Sequence, residues 1–157
     1  MADLASLVMS SVLDHPLSEN SYPRIGTEAT YGSRPRRHTA PVKVFLVEDS
    51  PILRERLLAL LASIPGAQSC GHAAGAAEAI AAIEAAKPDA VVLDIQLASG
   101  NGFDVLRAVG GTTTVYVLTN FANDGYRRKA ESLGAHGFFD KSTEVERLRQ
   151  ALMQSGA

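Results

Sequence analysis

From residue 42 onward, apolar residues alternate between strand-like and helical spacing, and this pattern predicts strands and helices in turn. Val42–Val47 is a short apolar run of the kind that forms a buried strand. Ser50 then supplies a helix N-cap, and Pro51 suits the first helical position. The helix ends at Pro65-Gly66 and carries apolar residues at helical spacing, namely Leu53, Leu57, Leu60, Leu61 and Ile64.

The same rhythm repeats along the rest of the chain. The further predicted strands are Ala67–Ala73, Ala90–Leu93, Thr114–Leu118 and Gly137–Asp140. The further predicted helices are Ala76–Ala86, Gly102–Val109, Asp124–Leu133 and a last helix that a Thr143–Glu146 capping box begins. Because strands alternate with helices, the pattern predicts an α/β fold in which a five-stranded parallel sheet has helices on both faces.

Residues 1–40 lack this periodicity. Proline, glycine, serine and threonine interrupt every apolar pattern there, and four acids balance four arginines. We predict a disordered N-terminal tail with a short amphipathic helix at residues 4–13. A docking arm for a partner is the less favoured alternative.

Composition narrows the class of protein. A chain of 157 residues with 46% apolar residues fits one domain with a tail. The net charge of −2 gives no electrostatic reason to expect binding to nucleic acid or to an anionic membrane. The single cysteine, Cys70, excludes an intramolecular disulfide and fits a reducing compartment. The apolar start of the chain lacks the positive segment of a signal peptide, and no apolar run reaches the about 18 residues of a membrane span. We therefore expect a cytoplasmic protein.

Polar residues follow four of the predicted strands at the point where each strand ends. The carboxyl ends of parallel strands meet at one edge of a sheet, and that edge is where open α/β sheets bind ligands. We therefore expect three carboxylates, a hydroxyl and an ammonium to share one crevice, contributed by Glu48, Asp49, Asp94, Thr119 and Lys141.

This set of side chains suggests phosphoryl chemistry. Clustered carboxylates repel one another, and a divalent cation such as Mg²⁺ removes the repulsion while leaving room for phosphate oxygens. The ammonium of Lys141 can neutralise a phosphoryl group, and the Thr119 hydroxyl can donate a hydrogen bond to it. Asp94 is the best-placed nucleophile for an aspartyl phosphate. Taken singly, Asp94 is as well explained as a turn residue and Lys141 as an exposed lysine, so the prediction depends on the set.

The segment from Val42 to Leu152 resembles the receiver domain of two-component response regulators. The resemblance lies in four short motifs in the right order, Val47-Glu48-Asp49-Ser50, Val92-Leu93-Asp94 followed by Gly102, Leu118-Thr119, and Phe139-Asp140-Lys141. It implies a receiver domain over residues 41–157. It also implies a doubly wound, flavodoxin-like three-layer sandwich with strand order 2-1-3-4-5 and five helices.

The resemblance also implies roles for the residues of the site. Asp94 would accept phosphate from a sensor histidine kinase. Asp49 and Asp94 would bind Mg²⁺ together with the backbone carbonyl of Gln96. Glu48 would hold a metal-bound water, and Lys141 would contact the phosphoryl group.

Two further residues would report phosphorylation to the surface. Thr119 would move to hydrogen-bond the phosphoryl group, and Phe138 matches the aromatic switch position that turns inward. The altered surface would comprise helix 124–133, strand 137–140 and the last helix.

Some positions depart from the pattern of the family. Prolines are usual where this chain has Ala98 and Ser142, and a small residue is usual at Asn120. Gln96 and Phe121 occupy positions that tune the lifetime of the phosphoryl group. Their bulk predicts slow attack by water on the aspartyl phosphate.

Four functions compete as interpretations of this sequence. We favour a stand-alone phosphoacceptor, not an enzyme, because no output domain follows the last helix; it would signal by protein contacts or pass phosphate to a histidine phosphotransfer protein. A phosphatase of the haloacid-dehalogenase kind would need an aspartate where Gln96 stands. A flavodoxin-type binder would need a phosphate loop where Glu48 and Asp49 would repel an anion. A pseudo-receiver that is never phosphorylated would not need the complete set of acids, Thr119 and Lys141.

Overall fold

The computed structural model describes residues 40–155, so the predicted disordered tail and the amphipathic helix at residues 4–13 lie outside the described residues. The strands are β1 (Val42–Val47), β2 (Ala67–Ala73), β3 (Ala90–Leu93), β4 (Thr114–Thr119) and β5 (Gly137–Asp140). The helices are α1 (Pro51–Ala62), α2 (Ala76–Ala86), α3 (Gly102–Val109), α4 (Asp124–Ser132) and α5 (Val145–Ser155). In the described part, none of these helices has the length and apolar character needed to cross a membrane.

The strands form one parallel sheet in the order β2-β1-β3-β4-β5, which confirms the predicted fold and strand order. The register pairs Val47 with Leu93, Leu93 with Val117, and Thr119 with Asp140. Since strands in this register finish side by side, the residues that follow β1, β3 and β5 lie along one edge.

The core has two layers, one on each face of the sheet. Successive side chains of a strand point to opposite faces, so Phe45 and Val47 pack on one side and Val44 and Leu46 on the other. The first side is covered by α2, α3 and α4, and the second by α1 and α5. Burial on both faces explains why the central strands read as continuous apolar runs.

The helices begin at the carboxyl edge of the sheet, and α1, α3 and α4 each begin behind a capping side chain. Ser50 Oγ accepts a hydrogen bond from Leu53 N at 3.4 Å, as the sequence predicts. Asn101 and Asn123 cap α3 and α4 in the same way. The helix α5 differs from the prediction because it begins at Val145, directly after Glu144 rather than after Thr143. Glu144 instead folds back on Asp140, donating from its N–H to the Asp140 carbonyl at 2.8 Å.

Gly102, the first residue of α3, lies against the backbone at the end of β3. A Cβ at this position would be 2.2 Å from the Asp94 carbonyl oxygen and 2.7 Å from Ile95 Cα. Backbone atoms cannot move aside as a flexible side chain can. Glycine is therefore needed for the close approach of α3 to the residue that carries the central carboxylate.

We predict that Gly102→Ala lowers the free energy of unfolding by about 2 kcal/mol, the typical cost of an overpacked site. Thermal denaturation followed by circular dichroism measures the change. Gly111→Ala is the matched control, because a Cβ there would meet no atom within 4 Å. Equal melting temperatures for the two variants would contradict the prediction.

Candidate functional site

Three carboxylates converge at the carboxyl edge of the sheet. Glu48 and Asp49 follow β1, and Asp94 follows the neighbouring strand β3. One carboxylate oxygen from each of the three lies within 4.8 Å of the others. The side chains of Glu48 and Asp94 are buried, so their charges are poorly hydrated and need a cation nearby.

The ammonium of Lys141 supplies one positive charge to this cluster. Its Nζ donates to Glu48 Oε2 at 2.6 Å and to Asp94 Oδ2 at 2.7 Å. The Lys141 side chain is only 9% exposed, and its backbone N–H donates to the Thr119 carbonyl at 3.0 Å. With all groups ionised, three carboxylates and one ammonium leave two negative charges in the crevice.

Burial and hydrogen bonding shift the pKa values of the buried pair. Burial raises the pKa of Glu48 above its ordinary value, although hydrogen bonds from Lys141 and from Ser50 N oppose it. Burial alone would lower the pKa of Lys141, but the hydrogen bonds to Asp94 and Glu48 outweigh it and raise that pKa. The lysine is therefore held in its charged form against the carboxylates.

Asp94 is held at both carboxylate oxygens. Oδ1 accepts from the N–H of Gln96 at 3.2 Å, and Oδ2 accepts from Lys141. The carboxylate opens into a crevice of about 400 Å³. Phe121, which is 43% exposed, lies on the rim of this crevice together with Gln96.

The structure does not bring the Thr119 hydroxyl to the carboxylates. Thr119 is fully buried, and its Oγ1 accepts a hydrogen bond from Phe121 N at 3.2 Å. Threonine side chains often satisfy themselves in this way on the backbone two residues ahead. Thr119 therefore lies at the end of β4, as the sequence predicts, but its hydroxyl is hydrogen-bonded to the adjacent backbone.

Phe138 lies in the buried layer beneath α4. Its side chain is 5% exposed, and the guanidinium carbon of Arg127 is 4.9 Å from the ring centroid. Arg127 Nη1 also donates to the Phe138 carbonyl at 3.0 Å. Arg127 on α4 and Glu144, directly before α5, also meet beside β5, with Arg127 Nη2 3.8 Å from Glu144 Oε2. No sequence motif links these two residues, because only the packing of the two segments along β5 brings them together.

The oxygen ligands of the cluster fit a hard divalent cation. Mg²⁺ takes oxygen ligands and is usually held by one or two carboxylates with several waters. Glu48, Asp49 and Asp94 offer carboxylate oxygens within reach of one another at an open crevice. Within the part of the chain that the structure describes, Glu48, Asp49 and Asp94 form the one group of acidic, histidine or cysteine side chains that is spaced to share a metal ion.

Comparison with known proteins gives one consistent result. Residues 44–153 match the family described as Response regulator receiver domain. The chain is 35% identical over 119 residues to the DNA-binding transcriptional activator DevR/DosR of Mycobacterium tuberculosis, covering 74% of this chain and 55% of that protein. It is 32% identical over 114 residues to the transcriptional regulatory protein YvfU of Bacillus subtilis, covering 71% of this chain and 57% of that protein. The chain thus spans little more than half the length of these relatives.

Solved structures of similar fold point to the same class of domain. A two-component response regulator of the LuxR family from Aurantimonas is 29% identical with a TM-score of 0.69, covering 74% of this chain and 85% of that one. The receiver domain of a sensor histidine kinase from Pseudomonas aeruginosa PAO1 is 23% identical with a TM-score of 0.64, covering 74% of this chain and 98% of that one. That second structure has a magnesium ion coordinated in its active site cleft.

Proposed function

The chain belongs to the response regulator receiver domain family, and on that premise we propose that it is a Mg²⁺-dependent phosphoryl acceptor. Asp94 would take the phosphoryl group from a phosphohistidine of a sensor histidine kinase. The observation that carries the proposal is the Lys141 ammonium, which bridges Glu48 and Asp94 at 2.6 and 2.7 Å beside Asp49. A buried lysine between acids at an open crevice is suited to an incoming anion.

Asp94 acts as the nucleophile of the transfer. One carboxylate oxygen attacks phosphorus, the new O–P bond forms, and the P–N bond to the donor imidazole breaks. The imidazole nitrogen keeps the electron pair of the broken bond and is then protonated. Gln96 N–H and Lys141 orient the Asp94 carboxylate before attack, and Lys141 afterwards neutralises part of the phosphoryl charge.

The metal would be held by Asp49, Asp94 and the backbone carbonyl of Gln96, with Glu48 holding a coordinated water. Bound Mg²⁺ supplies positive charge that offsets the carboxylates and the phosphoryl oxygens. The carboxylates of this chain contribute the oxygen ligands and the open crevice in which they meet.

The signal leaves through a conformational change in the residues behind the site. Thr119 would release Phe121 N and turn its hydroxyl to the phosphoryl group, and Phe138 would respond to that movement. The surface formed by α4, β5 and α5 would then bind a downstream protein or a histidine phosphotransfer protein. Because the net charge is −2, we propose a protein rather than nucleic acid as the direct partner.

Labelling with a small phosphodonor tests the proposal without the cognate kinase. The chain is incubated with phosphoramidate, with Mg²⁺ or with EDTA, and its mass is measured by intact mass spectrometry. We expect one phosphoryl group per chain in Mg²⁺ and none in EDTA. The absence of label in Mg²⁺ would overturn the proposal, and continuous turnover of phosphate esters would favour a phosphatase instead.

The rim of the crevice leads to a prediction about the lifetime of the phosphoryl group. Phe121 lines the crevice together with Asp94, and we expect its ring to limit the approach of water to the aspartyl phosphate. The aspartyl phosphate of Phe121→Ala should therefore be hydrolysed several times faster than that of the wild type. Phe121→Leu retains most of the bulk, so its rate of hydrolysis should stay near the wild-type rate. The measurement is the decay of label after the phosphodonor is removed. A Phe121→Ala half-life equal to or longer than that of wild type would contradict the prediction.

A further inference from the structure

The exposed edge of β5 is closed by two side chains instead of another strand. Within residues 40–155, β5 pairs with β4 alone, so its outer N–H and C=O groups need other partners. Phe138 O accepts from Arg127 Nη1 at 3.0 Å, and Asp140 N donates to Glu144 Oε2 at 2.9 Å. A donor and an acceptor thus stand where a neighbouring strand would place its own.

These two side chains also face one another. Arg127 lies on α4 and Glu144 directly precedes α5, and Arg127 Nη2 is 3.8 Å from Glu144 Oε2. The hydrogen bond from Asp140 N lowers the pKa of Glu144, with the arginines beside it adding to the effect. Only 18% of the Glu144 side chain is exposed, so the ion pair is better shielded than an ordinary surface pair. We call Arg127 and Glu144 together the edge clamp.

The edge clamp is hydrogen-bonded to β5 immediately before Lys141, the lysine of the site. On the inner side, Lys141 N donates to the Thr119 carbonyl at 3.0 Å. On the outer side, Glu144 holds the N–H of Asp140, and the Asp140 carboxylate accepts from the N–H of Ser142 at 2.8 Å. A proline at 142, usual in the family, could not donate this last bond. The chain around Lys141 is therefore fixed by hydrogen bonds from both sides.

The position of this backbone decides whether the ammonium reaches its partners. Lys141 Nζ is 2.6 Å from Glu48 Oε2 and 2.7 Å from Asp94 Oδ2, and N–H···O hydrogen bonds in proteins usually span about 2.7–3.2 Å. A small shift of the end of β5 would therefore separate the ammonium from at least one carboxylate. Misplacement of a catalytic group by about 1 Å can cost up to about a hundredfold in rate.

We propose that Arg127 and Glu144 are positioning residues for phosphoryl transfer. By closing the edge of β5 they keep that strand in register and hold Lys141 against Asp94. The inference rests on the proposed function, since it assigns the edge clamp to the same site. It also connects the position of α4 to the position of the lysine, through a contact outside the site itself.

The test compares Glu144→Ala with Glu146→Ala. Glu146 is the matched control because it also pairs with an arginine, Arg149, but it is 66% exposed and holds no backbone group of β5. We expect Glu144→Ala to lower the rate of labelling by phosphoramidate about tenfold, and Glu146→Ala to leave it unchanged. Mg²⁺ affinity by calorimetry should be unchanged in both, because the carboxylates of the site are intact. A parallel loss of Mg²⁺ affinity would overturn the proposal in favour of a general structural role.

Conservative variants separate the contacts of the edge clamp. Glu144→Gln keeps an acceptor for Asp140 N and should therefore be labelled at close to the wild-type rate. Arg127→Ala should be labelled more slowly than Arg128→Ala, its control at the neighbouring position. The fold-reduction in labelling rate of the double variant Arg127→Ala/Glu144→Ala should be smaller than the product of the fold-reductions of the two single variants, because both residues act on one strand. Full labelling by both single variants would overturn the proposal.

Hydrogen exchange gives a measurement that does not depend on phosphorylation. Glu144→Ala should speed exchange of the Asp140 and Lys141 amides, while Glu146→Ala should not. If the wild-type chain is never labelled, the proposed function fails, and this exchange still tests the edge clamp. Unchanged exchange of both amides would overturn the edge clamp even if labelling of the wild type succeeds.

Discussion

Asp94→Asn is expected to abolish labelling by phosphoramidate while leaving the fold intact. The amide has the same shape as the carboxylate, but its oxygen carries no negative charge and is a far weaker nucleophile. Asn Oδ1 can still accept the Gln96 N–H, so the local turn is preserved. The new amide nitrogen would face Lys141 Nζ, and Lys141 can keep its bond to Glu48. The measured result is the absence of the added phosphoryl mass in Mg²⁺, with a wild-type circular dichroism spectrum.

The matched control for this variant is Asp104→Asn. Asp104 lies on α3, where it pairs with Arg107 at 2.9 Å, and its side chain is 59% exposed. We expect that variant to be labelled at the wild-type rate. Labelling of Asp94→Asn at an undiminished rate would show that another residue accepts the phosphoryl group. Loss of label in both variants would indicate that the loss of one negative charge, rather than the loss of the nucleophile, prevents labelling.

The sheet and the meeting of the carboxylates could be predicted because each depends on a local pattern. Residues 44–47 of β1 and Ala90–Leu93 of β3 are apolar throughout, so both segments predict strands buried on two faces, and parallel pairing brings the acids that follow them together. The registers of β3, β4 and β5 then place Lys141 on the same edge of the sheet as Asp94, whereas the Gln96 N–H reaches Asp94 through the local turn after β3.

Side-chain orientation could not be predicted in the same way. The Thr119 hydroxyl has two competing partners, a ligand in the crevice and Phe121 N, and the sequence does not decide between them. The start of α5 is set by Glu144, which turns back to Asp140 instead of leaving the capping to Thr143. The pair of Arg127 and Glu144 forms only after α4 and the start of α5 have packed along β5. The first two choices are made between local hydrogen bonds of similar, modest energy, and the third depends on tertiary packing, so the sequence pattern alone decides none of them.

Lys141→Met is expected to lower both the stability and the labelling of the chain. Methionine keeps a long unbranched side chain but removes the charge, so the buried carboxylates of Glu48 and Asp94 lose their ammonium. Removing one partner of a buried ion pair costs about 3 kcal/mol or more, since the remaining charge stays desolvated. We expect a loss of that size in EDTA, measured by urea denaturation. Labelling should also slow, because no ammonium then faces the phosphoryl group.

Mg²⁺ should restore more stability to Lys141→Met than it adds to the wild type. In the wild type the lysine already offsets part of the carboxylate charge, whereas in the variant an added cation would be the chief counter-charge. Lys43→Met is the matched control, because Lys43 is an exposed lysine on β1 and its loss should change neither stability nor the response to Mg²⁺. If Lys141→Met unfolded at the same urea concentration as Lys43→Met in EDTA, the lysine would not be stabilising the cluster. In that case the role of Lys141 would be confined to the phosphoryl group.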